Sequence, residues 1–320
     1  MICLFGMVLQ RWVIKKHDSS YKQLFSHPRM IKELFSSFVR ESWVSQLDFS
    51  TLEKVNGSYI SDDLRDREDD VIWKVRIGES WVYLYILLEF QSTVDRFMAV
   101  RLLTYTGLLY QDLLKSGQIK GKQKLPPVFP LVLYNGEKRW HAATSLADLI
   151  DAVPSGLERY LPEYRYLVID EGSYATAELA VLKNLVAALF QLEHSREPEN
   201  VLQLVGHLVD WLGTPETEDL RRAFVYWLKR VFLPERLPES DYEAAEELVE
   251  VHTMLEKRVK QWQKQWKAEG LAEGELKGKL KGKLETARGL ILQGITLDVI
   301  ATATSLGREE LEKVRREMES

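Results

Sequence analysis

The 320-residue chain is 45% hydrophobic and 28% charged, with a formal net charge of −5, an ordinary composition for a soluble globular protein. Its one cysteine, Cys3, excludes a disulfide framework and a cysteine-based zinc site, and fits a reducing, cytoplasmic setting. The six histidines are scattered without ligand spacing, and the acidic balance means that any nucleic-acid binding must come from a local patch.

The start, "MICLFGMVLQRW", is apolar but too short to span a membrane, and no basic residue precedes it as a signal peptide requires. Residues 1–16 are therefore read as a leader, either a buried strand or an over-extended start. "HDSSYKQLFSHPRMIKELFSSFVRESW" reads as two helices, the first capped by Asp18 and the second carrying Pro28 in its first turn. Leu24 and Phe25, then Ile31, Leu34, Phe35 and Phe38, recur at helical spacing. A short strand is expected over 55–61. Residues 69–77 and 81–91 are rich in β-branched and aromatic types, with Gly78-Glu79-Ser80 as a three-residue hairpin turn.

A long helix follows, capped by Ser92 or Thr93 and stopped at Gly117. Further strands are expected over 128–134 and 164–170, and helix from about 174 onward. This order predicts an α/β fold, with a central mixed sheet flanked by helices and an all-helical C-terminal region. The boundaries expected are a core over 17–172, a helical region over 173–268, a glycine-repeat helical linker over 269–285 and a helical hairpin over 286–320. In the linker, Gly recurs at 270, 274, 278 and 282, each costing a helix about 1 kcal/mol relative to Ala. These last helices bury little by themselves, so a homodimer through them is expected.

"DDVIWKVRIGESWVYLYILLEFQS" carries the chemistry. Residues two apart on a strand share a face, so Glu89 and Gln91 point together. An antiparallel hairpin brings Asp70 near Glu89, with Gln91 just beyond. Adjacent carboxylates repel unless something positive sits between them. A hard divalent cation answers that need. So does a plain structural arrangement in which Asp70 serves a turn and Glu89 pairs with Arg67 or Arg96. Lys74 and Arg76 share the parity of Asp70, as phosphate-holding residues or as solvated strand residues.

An Asp opening one strand, a hairpin, Glu-x-Gln on the next strand and then a long helix resemble the PD-(D/E)XK nuclease core. More narrowly, "HDSSYKQLFSHP", "DREDDVIWKV", "YLYILLEFQST", "MAVRLLTY", "LPPVFPLVLYNGEKRW" and "EGELKGKLKGKLETARGLI" resemble the recombination-promoting nuclease, or YhgA-like transposase, family. The resemblance implies a Mg²⁺-dependent DNA endonuclease, with Mn²⁺ as a substitute. Asp70 and Glu89 fall on its metal-binding acids, and Gln91 falls where the wider superfamily carries a Lys. Gln can position water but supplies no charge. Asp18 and Glu33 are the candidates for an accessory acid on the first helix. The alternative is a non-catalytic DNA-binding or assembly protein that keeps the fold. The tail over 296–317 reads as two short helices around a Ser-Leu-Gly turn, with acids at the start of the second helix that disfavour base reading.

Overall fold

The computed structural model describes residues 19–55, 70–89, 94–136, 138–195, 197–236 and 242–319. The chain is mixed α/β and divides into two compact units, Met1–Leu255 and Glu256–Ser320.

The first unit begins with a helical stretch, 19–24, and helix α1 (Pro28–Phe38). Pro28 occupies the first turn of α1, and His27 Nδ1 accepts from Arg29 N at 3.2 Å as its cap. Five strands follow: β1 (Asp48–Lys54), β2 (Asp70–Ile77), β3 (Ser80–Glu89), β4 (Val128–Tyr134) and β5 (Leu167–Asp170). They pair in sequence order, β1-β2-β3 antiparallel and β3-β4-β5 parallel. Helix α2 (Met98–Lys115) makes the crossover from β3 to β4 that parallel pairing demands.

Three local expectations are corrected, and the strand expected over 55–61 lies outside the described residues beyond Val55. Among the described residues the first strand is Asp48–Lys54. The hairpin turn has two residues, because Ile77 pairs directly with Ser80. Gly78 takes φ +56, while Glu79 is not among the residues at positive φ. That is the pattern of a II′ turn, whose twist matches the flanking strands. Helix α2 starts at Met98 after a turn in which Asp95 Oδ1 accepts from Phe97 N at 2.8 Å, while Ser92 and Thr93 lie outside the described residues. The last strand begins at Leu167, with Arg165 only bridging to Ser145.

Strand pleating sorts the core into two layers. One sheet face sets Ile72, Tyr83, Tyr85, Leu87, Val132 and Tyr134 against Met98, Leu102, Leu109 and Leu113 of α2. The opposite face lies under α1, on which α4 (Leu185–His194) packs with Phe190 4.9 Å from Phe38: Phe129 packs on Phe35 at 5.9 Å between centroids, and Trp73 Nε1 donates to Phe25 O at 3.0 Å. Because both faces are covered, β3 and β4 read as near-continuous apolar runs.

After β5 the chain is helical: α3 (Thr176–Leu182), α4, α5 (Pro198–Trp211), α6 (Glu218–Trp227) and, beyond two short turns of helix, α7 (Leu248–Leu292). The glycine repeat is helical within α7. In the second unit, α8 (Leu297–Thr304) and α9 (Arg308–Glu319) close with the end of α7 around Ala287, Ile300, Leu306 and Leu311. Ser305, at φ +56, makes the turn between α8 and α9. Among the described residues, no helix is long and apolar enough to cross a membrane.

Candidate active site at the carboxyl end of the parallel strands

Parallel strands present their carboxyl ends to one side of a sheet, where α/β proteins hold ligands. Here β3, β4 and β5 end in one row, Glu89 beside Tyr134 beside Asp170. On the other flank of β3, Asp70 is paired with Leu87. Directly opposed residues share a face, so positions 70, 87 and 89 do too. Asp70 and Glu89 are thus diagonal partners, a relation that sets residues roughly 7–8 Å apart. Gln91 and Asp18 lie outside the described residues, as does Arg67.

Lys74 and Arg76 have the parity of Asp70 but stand four and six residues further along β2, roughly 13 and 20 Å away at strand rise. Lys74 Nζ pairs with Glu53 Oε2 at 2.7 Å, and both cations lie over the Trp81 ring at 4.5 and 4.7 Å. The structure does not bring them to the carboxyl end. Arg96, the other proposed partner of Glu89, sits over the Phe97 ring. Glu33 has a different task from the accessory acid expected of it. Its Oε1 accepts from Arg29 Nε at 2.8 Å, and its Oε2 accepts from Leu185 N at 2.6 Å. An acid at a helix N-terminus satisfies orphan N–H groups and the local dipole, and α4 starts at Leu185.

The same sheet end holds groups that sequence reasoning missed. Tyr21, wholly buried, has its hydroxyl 3.2 Å from Glu171 Oε2 and 3.1 Å from Glu193 Oε1, and it accepts from Asn135 Nδ2 at 3.3 Å. One phenolic proton serves one carboxylate at a time. The second contact is a hydrogen bond only when that carboxyl carries its own proton. Glu171 is wholly buried, and its Oε1 has no hydrogen-bond partner. Burial, and next the negative charge of Glu193, hold the Glu171 carboxyl well above the usual carboxylate range, with Asp170 adding to the effect and the Tyr21 hydrogen bond opposing it. Burial likewise pushes the Tyr21 phenol well up, reinforced by Glu171 and Glu193.

Asp170 is committed to structure: Oδ1 pairs with Arg139 at 3.1 Å and Oδ2 accepts from Trp140 N at 3.0 Å. Two glycines let this end close. A Cβ at Gly136 would overlap the buried Tyr134 ring, and one at Gly172 would overlap the Arg139 guanidinium. The sequence signal was present: Tyr134-Asn135-Gly136 and Asp170-Glu171-Gly172 end two neighbouring strands in register, each with a polar residue and then Gly.

Comparison with known proteins places the chain in a family. Residues 15–222 match the family described as "Putative transposase, YhgA-like". The chain belongs to that YhgA-like family. Among its curated relatives are recombination-promoting nuclease RpnA of Escherichia coli K12, 31% identical over 120 residues, and RpnD of E. coli O157:H7, 26% identical over 122 residues. Each match covers 38% of this chain, and 40% and 46% of those relatives, so the chain spans less than half the length of either. The inactive recombination-promoting nuclease-like protein RpnE of E. coli K12 is 26% identical over 215 residues, 67% of this chain and 70% of RpnE. No solved structure matches the chain. Within the YhgA-like family, then, relatives named as nucleases and relatives named as inactive both resemble this chain.

Proposed function

We propose that the chain is a metal-dependent DNA endonuclease with a PD-(D/E)XK-like core. The observation that carries this reading is topological. A helix, three antiparallel strands, a helix and a strand parallel to β3 follow in the order that fold requires, and the register sets Asp70 and Glu89 on one face at the carboxyl end. Two relatives named as recombination-promoting nucleases support it.

The donor chemistry fits the metal. Two carboxylates are hard oxygen ligands, the kind Mg²⁺ takes while keeping several waters, and Mn²⁺ suits the same set. Among the described residues no group of three or more His, Cys, Asp or Glu forms a rival site. Mg²⁺ held by Asp70 and Glu89 would supply a more acidic water and charge stabilisation at the scissile phosphate. Gln91 orients that water through its amide. Asp70 and Glu89 relieve their mutual repulsion by binding the ion. The partner is DNA and the setting the cytoplasm.

Cleavage of plasmid and linear DNA in Mg²⁺, Mn²⁺ and EDTA tests the reading. Asp70→Ala and Glu89→Ala should each lower the metal-dependent rate at least 100-fold with unchanged circular dichroism. Full activity in either variant would sink the assignment.

A non-catalytic DNA-binding or assembly role is the second reading. Gln91 in place of a Lys favours it, as does the match to RpnE, named inactive, over two thirds of the chain. A wild type that binds DNA but leaves it intact in every metal selects this reading.

Assembly as a homodimer through the C-terminal helices belongs to the proposal. In the second unit Leu292, Ile295 and Val299 are exposed together at the end of α7 and the start of α8. Light scattering should give a dimer for the full chain, and a monomer at micromolar concentration would remove that element.

A further inference from the structure

Beyond β5, helices α3, α4 and α5 enclose a cleft of about 680 Å³, within the size range of sites that hold small ligands or single groups. Its walls are rich in groups that can both donate and accept. Gln191 and Gln203 bring amides, and Gln191 Nε2 donates to Ala187 O at 3.2 Å, which steadies that amide and leaves its oxygen to accept from a ligand. Ser195 lines the cleft with a hydroxyl shielded from water and without a hydrogen-bond partner. His207 and Trp211, one turn apart on α5, stack on each other with centroids 5.4 Å apart and planes tilted by 19°, an aromatic pair in the cleft wall. Among the described residues, Lys183 and Glu197 are the only Lys, Arg, Asp or Glu that line it.

The cleft lies near the β5 end of the strand row. His194 lines it and lies within electrostatic reach of Arg139 and Asp170. Asp170 is the end of the row that runs through Tyr134 to Glu89. At strand spacing, that row is roughly 10 Å long. Burial lowers the affinity of His194 for a proton, so near neutrality its ring presents one donor and one acceptor.

Amides, a neutral imidazole and an aromatic stack are the chemistry that recognises a heteroaromatic base, while a strand's phosphates need cations. We infer that this cleft receives an unpaired base of a DNA strand whose backbone lies along the Asp70–Glu89 edge. The substrate class is then DNA with unpaired bases beside the cut. The base extends the Trp211–His207 stack, and Gln191 and Gln203 meet its edge. The inference rests on the nuclease reading for the position of the backbone, but base binding is measurable without cleavage.

The test is fluorescence anisotropy in EDTA, with the full chain and two single-stranded oligonucleotides, one normal and one containing a run of abasic sites. Wild type should bind the normal strand about fivefold or more tightly, the lower end of what stacking one base contributes. Trp211→Ala should erase most of that preference. Because Trp211 is half-buried, His207→Ala is the companion variant: His207 is exposed, so the fold tolerates its loss, and the preference should fall there too. Equal binding of both strands by wild type, or an unchanged preference in both variants, overturns the inference. Base preference without cleavage in any metal would instead leave the cleft standing and remove the nuclease reading.

Discussion

At the hairpin end of the sheet, Lys74 pairs with a half-exposed Glu53 and shares the Trp81 ring with Arg76. At the carboxyl end, Glu171 is wholly buried beside Glu193, with one oxygen unpartnered. The first arrangement is solvated and contributes about 0–1 kcal/mol per pair. The second leaves a buried polar atom unsatisfied, at a cost of about 1–3 kcal/mol. A fold keeps such a liability where positioning or chemistry requires it, so the two ends of one sheet point to different tasks. The glycine contacts agree. Gly136 and Gly172 admit the Tyr134 ring and the Arg139 guanidinium at the carboxyl end, whereas a Cβ at Gly78 in the hairpin would meet nothing, and its glycine answers only to φ +56.

Breaking the buried network should have the largest effect on the fold. Tyr21→Phe removes the one hydroxyl that contacts Glu171, Glu193 and Asn135. We expect a loss of about 1–3 kcal/mol in urea unfolding, the penalty for stranding buried polar groups. A loss below the error of the measurement would mean that water replaces the phenol, and the contrast between the two ends would weaken.

The pH dependence sharpens the same contrast. Burial holds Glu171 above its ordinary range, so the folded chain keeps a proton that the unfolded chain releases at lower pH. Its contribution is fully present below the unfolded carboxylate range and is lost as pH rises through the folded value. Glu171→Gln carries a permanently neutral group of similar shape. Stability of wild type relative to Glu171→Gln should therefore fall as pH rises above the ordinary carboxylate range, on top of any background slope shared by both. Parallel curves for the two proteins would mean that Glu171 titrates as it does in the unfolded chain.

How much of this was legible in the sequence depended on the distance over which each feature is written. The hairpin was readable because alternation and a glycine turn lie within 20 consecutive residues, 70–89. Strand β1 was missed because "DFSTLEK" is mostly exposed and its pairing shifts register between Asp48 and Glu53, so no clean alternation marks it. The start of α2 was set too early because Ser92 and Thr93 have cap chemistry, whereas the turn before the helix uses Asp95. Glu33 looked free because its partner Leu185 is 152 residues away. The Tyr21 network spans separations of 114 to 172 residues, and no local pattern encodes it. What the sequence did carry was the in-register pair Tyr-Asn-Gly and Asp-Glu-Gly, legible only once both are known to end adjacent parallel strands.

The smallest expected effect lies at the hairpin end itself. Lys74 and Arg76 were expected to hold phosphate or to be solvated strand residues, and on the proposed nuclease reading their distance from Asp70 would limit them to the backbone of bound DNA away from the cut. Each phosphate contact adds roughly 0.9 to the slope of log affinity against log salt. Arg76→Ala should therefore flatten that slope by about one contact's worth and weaken binding at low salt, with the cleavage rate at saturating DNA unchanged. Lys74→Ala should do less, because Glu53 already partners that ammonium. Salt titrations of binding beside single-turnover rates separate the terms. A saturated rate in Arg76→Ala that falls as far as in Asp70→Ala would draw the hairpin end into the active site, and the division of labour across the sheet would fail.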